Sequence, residues 1–195
     1  MDEREKELVR KVLSGESPAF EELVRPYRTS LLHLAYRMTG NMEEAMDITQ
    51  ETLLKCFRYL HQYDRTRNFR NWLFQIAANL ARDWHRKRKQ ENRLEMDLRQ
   101  KDFDRDHSEE TVFNQPSGEK TSDLQLDVNA CLAKLSPRER QVFVLRDVEG
   151  LSIKETATVL KTSSLSVRVN LSSARRKIRD IISGQKKYGR VRSQK

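Results

Sequence analysis

Arg168, Ser172, Ser173 and Arg176 share a stretch with Val167, Leu171, Ala174 and Ile178, which fall at i, i+4, i+7 and i+11. At 100° per residue the apolar set makes one face of a helix, and the opposite side presents Leu165, Val169, Ser172, Ser173 and Arg176, flanked by Arg168 and Arg179. A helix lying in the DNA major groove needs short donors or acceptors for base edges and arginines for guanine or phosphate. Arg168, Ser172, Ser173 and Arg176 supply those groups, and Val169 can meet a thymine methyl.

A second constellation combines phosphate-binding charge with aromatic rings. Gln75, Asn79, Arg82, Asp83 and Arg86 form the polar face of a helix whose apolar face is Leu73, Ile76, Ala77, Leu80 and Trp84, and the run WHRKRK, with Arg88, follows directly. In the preceding loop, HQYDRTRN, Arg65 and Arg67 flank the region where Tyr63, with Phe69 just beyond, could stack on an unpaired base. Trp72 and Trp84, at helical spacing, read as core. A third set, Asp47, Gln50 and Glu51, lies away from Met46 and Leu53, where it either docks a basic partner helix or is a solvated face.

Other chemistries find no support. There is no glycine-rich phosphate loop, H-E-x-x-H or nucleophile elbow, and the chain has 6 Gly, so no catalytic residues are assigned. Cys56 and Cys131 stand 75 positions apart and His33, His61, His85 and His107 are scattered, which gives neither a disulfide framework nor a zinc spacing. No metal and no cofactor are expected. No run approaches the roughly 18 apolar residues of a membrane span, and the start MDEREKELVRK is too charged for a signal peptide. The expectation is a cytoplasmic protein without membrane insertion. A net charge of +9 favours a polyanionic partner.

The elements that must carry these residues are helices. Phe20, Leu23, Val24, Tyr27, Leu31, Leu34, Ala35 and Met38 follow helical spacing behind a Ser17-Pro18 start, with Pro26 expected to kink or split the helix. Gly40 ends it, and Asn41 with Glu44 makes a capping box for a helix whose expected buried stripe is Met46, Leu53, Phe57 and Leu60. Ser136-Pro137-Arg138-Glu139 and Ser152-Ile153-Lys154-Glu155 are two further capping boxes, separated by Glu149-Gly150. A short helix, the turn Thr162-Ser163-Ser164 and a longer basic helix outline a helix-turn-helix.

Between the two helical groups, residues 93–123 hold nine acidic and five basic residues, include Gln-Pro-Ser-Gly and have few apolar anchors. This reads as a flexible acidic linker. The fold expected is all-α: a helical bundle over residues 1–92, a helix-turn-helix domain over 124–184, and a basic tail, 185–195, with five basic residues and no acid in its last twelve positions.

Three segments, in this order, resemble the extracytoplasmic-function sigma factors: A-x-D-x-x-Q-E-x-x-x-x-x-F from Ala45 to Phe57, F-x-x-W-L-x-x-I-A-x-N-x-x-x-D from Phe69 to Asp83, and a final helix with S-V-R followed by L-x-x-A-R-x-K-I. The resemblance implies a first domain like sigma region two and a second like region four. It implies that Asp47, Gln50 and Glu51 bind core RNA polymerase. It implies that Tyr63, Arg65, Arg67, Phe69, Asn79, Asp83, Arg86 and Arg88 engage the minus-ten promoter DNA, and that Arg168, Val169, Ser172, Ser173, Arg175 and Arg176 engage the minus-thirty-five element. An anti-sigma factor is a further partner the family implies. The last helix departs from the family pattern, with Leu165 and Ser166 for the usual glycine-threonine, Val169 and Asn170 for serine and arginine, and Ser173 for another arginine. Two other readings stay open: a free-standing helix-turn-helix regulator, and a non-initiating sigma relative that binds partners.

Overall fold

The structure, a computed structural model, describes residues 3–102 and 123–192, and side chains within 3–94 and 128–183. Every regular element among the described residues is helical. Helices α1 (Glu3–Leu13), α2 (Pro18–Val24), α3 (Arg28–Thr39), α4 (Met42–Tyr59) and the first part of α5 (Phe69–Asp102) build one unit; α6 (Asp123–Ala133), α7 (Pro137–Phe143), α8 (Ile153–Val159) and α9 (Ser164–Arg192) build the other.

Local chemistry accounts for most boundaries. Pro26 lacks the amide a continuous helix would use, and a 3₁₀ turn at Arg25–Tyr27 separates α2 from α3. Gly40, at φ +74°, ends α3 in the left-handed region with its amide donating to the Tyr36 carbonyl at 2.7 Å. The Asn41 side chain accepts from the Glu44 amide at 3.1 Å and starts α4. Both later capping boxes are complete: the Glu139 and Glu155 amides donate to Ser136 and Ser152 Oγ, and the two glutamates accept the serine amides in return. Ser17 differs from expectation: it is itself helical and makes no side-chain cap, the start of α2 resting on Pro18.

Three departures from the sequence reading concern which face is buried and where a helix ends. On α4 the buried stripe is Ala45, Ile48, Thr52 and Cys56, while Met46 and Phe57 point outward; the small residues let α4 lie close against its neighbours, so bulk was a poor guide to direction. Helix α5 buries a second face, Phe74, Ala78 and Ala81, besides Leu73 and Ala77. It also runs to Asp102, so residues 93–102 of the stretch read as linker are helical; residues 103–122 of that stretch lie outside the described residues. Helix α9 likewise extends to Arg192.

The second face of α5 explains how the units meet. Gln141 donates to the Ala78 carbonyl at 3.4 Å, Arg82 to the Leu160 carbonyl at 3.4 Å and Asn71 to Glu155 at 2.7 Å. Glu149, its side chain 8% exposed, accepts from Arg70 at 2.8 Å and Arg37 at 3.3 Å. Arg140 is buried and spends its guanidinium on carbonyls from both units, Leu132 at 2.8 Å and Met38 at 3.3 Å. Met38 also receives the His85 ring at 2.9 Å. The buried apolar residues of both units form one continuous cluster, and each large side chain fully withdrawn from water, such as Phe74 or Leu145, contributes about 1.5–3 kcal/mol.

Candidate functional surfaces

The last helix offers one face to the core and one to solvent. Val167, Leu171 and Ala174 are buried, and Leu165, Arg168, Val169, Ser172, Arg175, Arg176 and Arg179 are exposed. Arg168, Arg175, Arg176 and Arg179 line an open groove of about 640 Å³ with Arg146, Ile153, Leu171 and Ser172. Sequence reasoning missed Arg146, which reaches this groove from a single π turn, Val144–Val148, closed by the Glu149 amide on the Val144 carbonyl at 2.9 Å. The extra residue of such a turn is invisible to a 3.6-residue period. Arg175 is held by a fork of two bonds to Asp147, at 2.8 and 2.6 Å, which raises its pKa further and fixes its plane beside the groove.

Ser173 is a correction. Its hydroxyl donates to Glu139 Oε1 at 2.6 Å, so it faces α7 and is not free to read a base. Burial alone would raise the Glu139 pKa, but Lys177 at 2.8 Å, Ser173 and the Ser136 cap together hold it down at about 2. Asn170 is half-buried and donates to the Ser166 carbonyl one turn back on its own helix, at 2.7 Å.

The segment from His61 to Arg70 requires a second correction. Tyr63 and Phe69 are 6% and 0% exposed, packed edge-on at 5.4 Å, and Tyr63 leans on Trp72 at 4.9 Å. The Tyr63 hydroxyl donates to the Arg67 carbonyl at 2.5 Å, and burial pushes its pKa up to about 12. An aromatic body with a polar tip pins the loop to the core from inside, so neither ring offers a stacking face. Polar side chains form the loop surface, Arg65 and Arg67 among them. Asp83 and Arg86 are exposed and paired at 3.4 Å, and Arg88 lies over the Trp84 ring at 5.3 Å. Asn79 is half-buried, and its Oδ1 has no hydrogen-bond partner. An orphaned amide oxygen of this kind is costly unless a ligand group or water donates to it.

The outer face of α4 carries both acidic and apolar side chains. Asp47 and Gln50 are exposed and Glu51 is half-buried, pairing with Lys55 at 3.5 Å. Beside them runs an outward apolar stripe, Met42, Met46, Leu54 and Phe57, with Gln50 inside the stripe and Asp47 and Glu51 on its rim. Phe57 packs edge-on against Phe20 at 5.1 Å. Sequence reasoning placed Met46 and Phe57 in the core and so did not find this surface.

Among the described residues no cluster of His, Cys, Asp or Glu could hold a metal ion, and no helix is long and apolar enough to cross a membrane.

Comparison with known proteins matches these units separately. Residues 23–91 match the family described as Sigma-70 region 2, and residues 125–178 match Sigma-70, region 4. The chain is 35% identical over 169 residues to "ECF RNA polymerase sigma factor SigE" of Mycolicibacterium smegmatis, covering 85% of this chain and 62% of that protein. It is 28% identical to "ECF RNA polymerase sigma factor SigW" of Bacillus subtilis, covering 89% of this chain and 94% of that protein. Among solved structures, CnrH in complex with the cytosolic domain of CnrY aligns with a TM-score of 0.67 at 26% identity, over 93% of this chain and 99% of that one.

Proposed function

Since the chain belongs to the extracytoplasmic-function branch of the sigma-70 family, we propose that it binds core RNA polymerase and directs it to specific promoters, catalysing nothing itself and working in the cytoplasm. The observation that carries this reading is the outer face of α4. A stand-alone helix-turn-helix regulator, its first unit a sensor or dimerisation domain, needs no surface for a basic protein partner, and this molecule pairs its basic α9 groove with an apolar surface rimmed by acidic Asp47 and Glu51 on the other unit. Contiguous exposed apolar side chains rimmed by polar groups mark protein interfaces.

In this reading Met42, Met46, Gln50, Leu54 and Phe57 dock on the polymerase, with Asp47 and Glu51 steering a basic partner. Arg65, Arg67, Asp83, Arg86 and Arg88 meet the minus-ten DNA, with the half-buried Asn79 on the same helix as the last three. Arg146, Arg168, Arg175, Arg176 and Arg179 hold the backbone of the minus-thirty-five element, with Ser172 at base edges. The anti-sigma partner expected from the family belongs to this reading, and the similar CnrH was solved bound to the cytosolic domain of CnrY.

The test is run-off transcription from genomic templates with bacterial core polymerase, with and without the full chain. A new, promoter-dependent start site is the expected result; no new start site on any template overturns the proposal. Tight duplex binding without polymerase, unchanged when Asp47 and Glu51 are both replaced by Arg, would favour the stand-alone regulator.

A further inference from the structure

Leu165 and Val169 are 69% and 61% exposed, more than any other large hydrophobic side chain among the described residues. They sit at i and i+4 at the start of α9, one turn apart on the same outward face, and so form one patch. Arg168 stands between them in sequence, and Arg168, Ser172 and Arg176 line the arginine groove alongside. Apart from Ser172, the polar side chains nearby are engaged within the fold. Ser173 donates to Glu139, Asn170 donates to the Ser166 carbonyl at 2.7 Å and to Ser166 Oγ at 3.4 Å, and the Ser166 N–H donates to Ser163 Oγ at 3.1 Å. What α9 presents at its N-terminal end is therefore two branched apolar side chains framed by guanidinium groups.

That combination selects its occupant. The five arginines call for a polyanion, which argues against an apolar protein partner on this face. Within the major groove the one apolar group on any base edge is the thymine 5-methyl. Recognition helices place their N-terminal residues against base edges. Resting on the promoter-binding reading above, we propose that Leu165 and Val169 form a thymine-methyl clamp that sets sequence preference in the upstream promoter element, in place of hydrogen-bond reading by Asn170 and Ser173.

The experiment uses holoenzyme assembled from core polymerase and the full chain, on a promoter found by run-off. Competitor duplexes carry either thymidine or deoxyuridine throughout the upstream element, a change that removes only the 5-methyl groups. The unsubstituted duplex is expected to compete roughly tenfold better, the scale of burying two methyl groups. The Leu165→Ala/Val169→Ala variant, altered only at exposed positions, is expected to keep its helical circular dichroism and lose that preference. Equal competition by the two duplexes with the wild type overturns the clamp. So does a preference that survives in the double variant, which would assign it to DNA stiffness. Either result leaves promoter-dependent run-off intact, whereas failure of the parent reading shows as no run-off at all.

Discussion

Glu139 binds Ser136, Ser173 and Lys177 at once and so joins the start of α7 to the middle of α9. Its pKa falls from 4.5 to about 2 on folding. The unfolded chain therefore takes up the proton first, and the stability Glu139 supplies is complete above pH 4.5 and lost as pH falls toward 2. Glu139→Gln should cost about 1–2 kcal/mol at pH 7 and flatten the acid limb, as read by urea unfolding from pH 7 to pH 2. His85 titrates in a different window. Burial lowers its pKa below 6.5, the charges of Arg140 and Arg88 add to this, and the Met38 carbonyl opposes it. The folded state binds this proton less readily than the unfolded chain, so stability is highest above pH 6.5 and declines as pH drops through the lowered value. A His85→Gln variant should lose that part of the stability slope, seen as a thermal midpoint that changes less between pH 7 and pH 5.

Helix α4 shows how one element serves two surfaces. Ala45, Ile48, Thr52 and Cys56 hold it to α3 and α5, and Met42, Met46, Leu54 and Phe57 face out. Met46→Asp touches only the outer stripe and should leave folding stability within about 0.5 kcal/mol while greatly weakening capture by core polymerase in a pull-down. Stability unchanged and capture unchanged together would remove α4 from the docking surface. The capping signals of this helix and of α7 and α8 were plain in the sequence, because a cap is a contact between residues three apart. Its inward direction was not, because two apolar stripes on one helix cannot be ranked without knowing what packs there.

The two units are joined by polar contacts set into apolar packing. Glu149 holds Arg37 and Arg70, and Arg140 reaches across to Met38. Glu149→Ala leaves two guanidinium groups without their carboxylate and should weaken docking by about 1–3 kcal/mol, detected as a larger radius of gyration in small-angle scattering with helix content preserved. The helices from Pro18 to Trp84 and from Pro137 onward, the caps at Asn41, Ser136 and Ser152, the split at Pro26, the order of the motifs and the family were legible in the chain, since each depends on residue types within a few positions of one another; α1, α6, the run of α5 to Asp102 and the missing cap at Ser17 were not. The inward turn of Ser173, the burial of Tyr63, the entry of Arg146 into the groove and the packing of one unit on the other were not. They depend on partners far along the chain, such as Arg37 and Arg70 for Glu149, and on Phe74, Ala78 and Ala81 finding a second surface to cover them. Periodicity tells that a side chain is apolar or charged at a given angle; long-range packing assigns what it meets there.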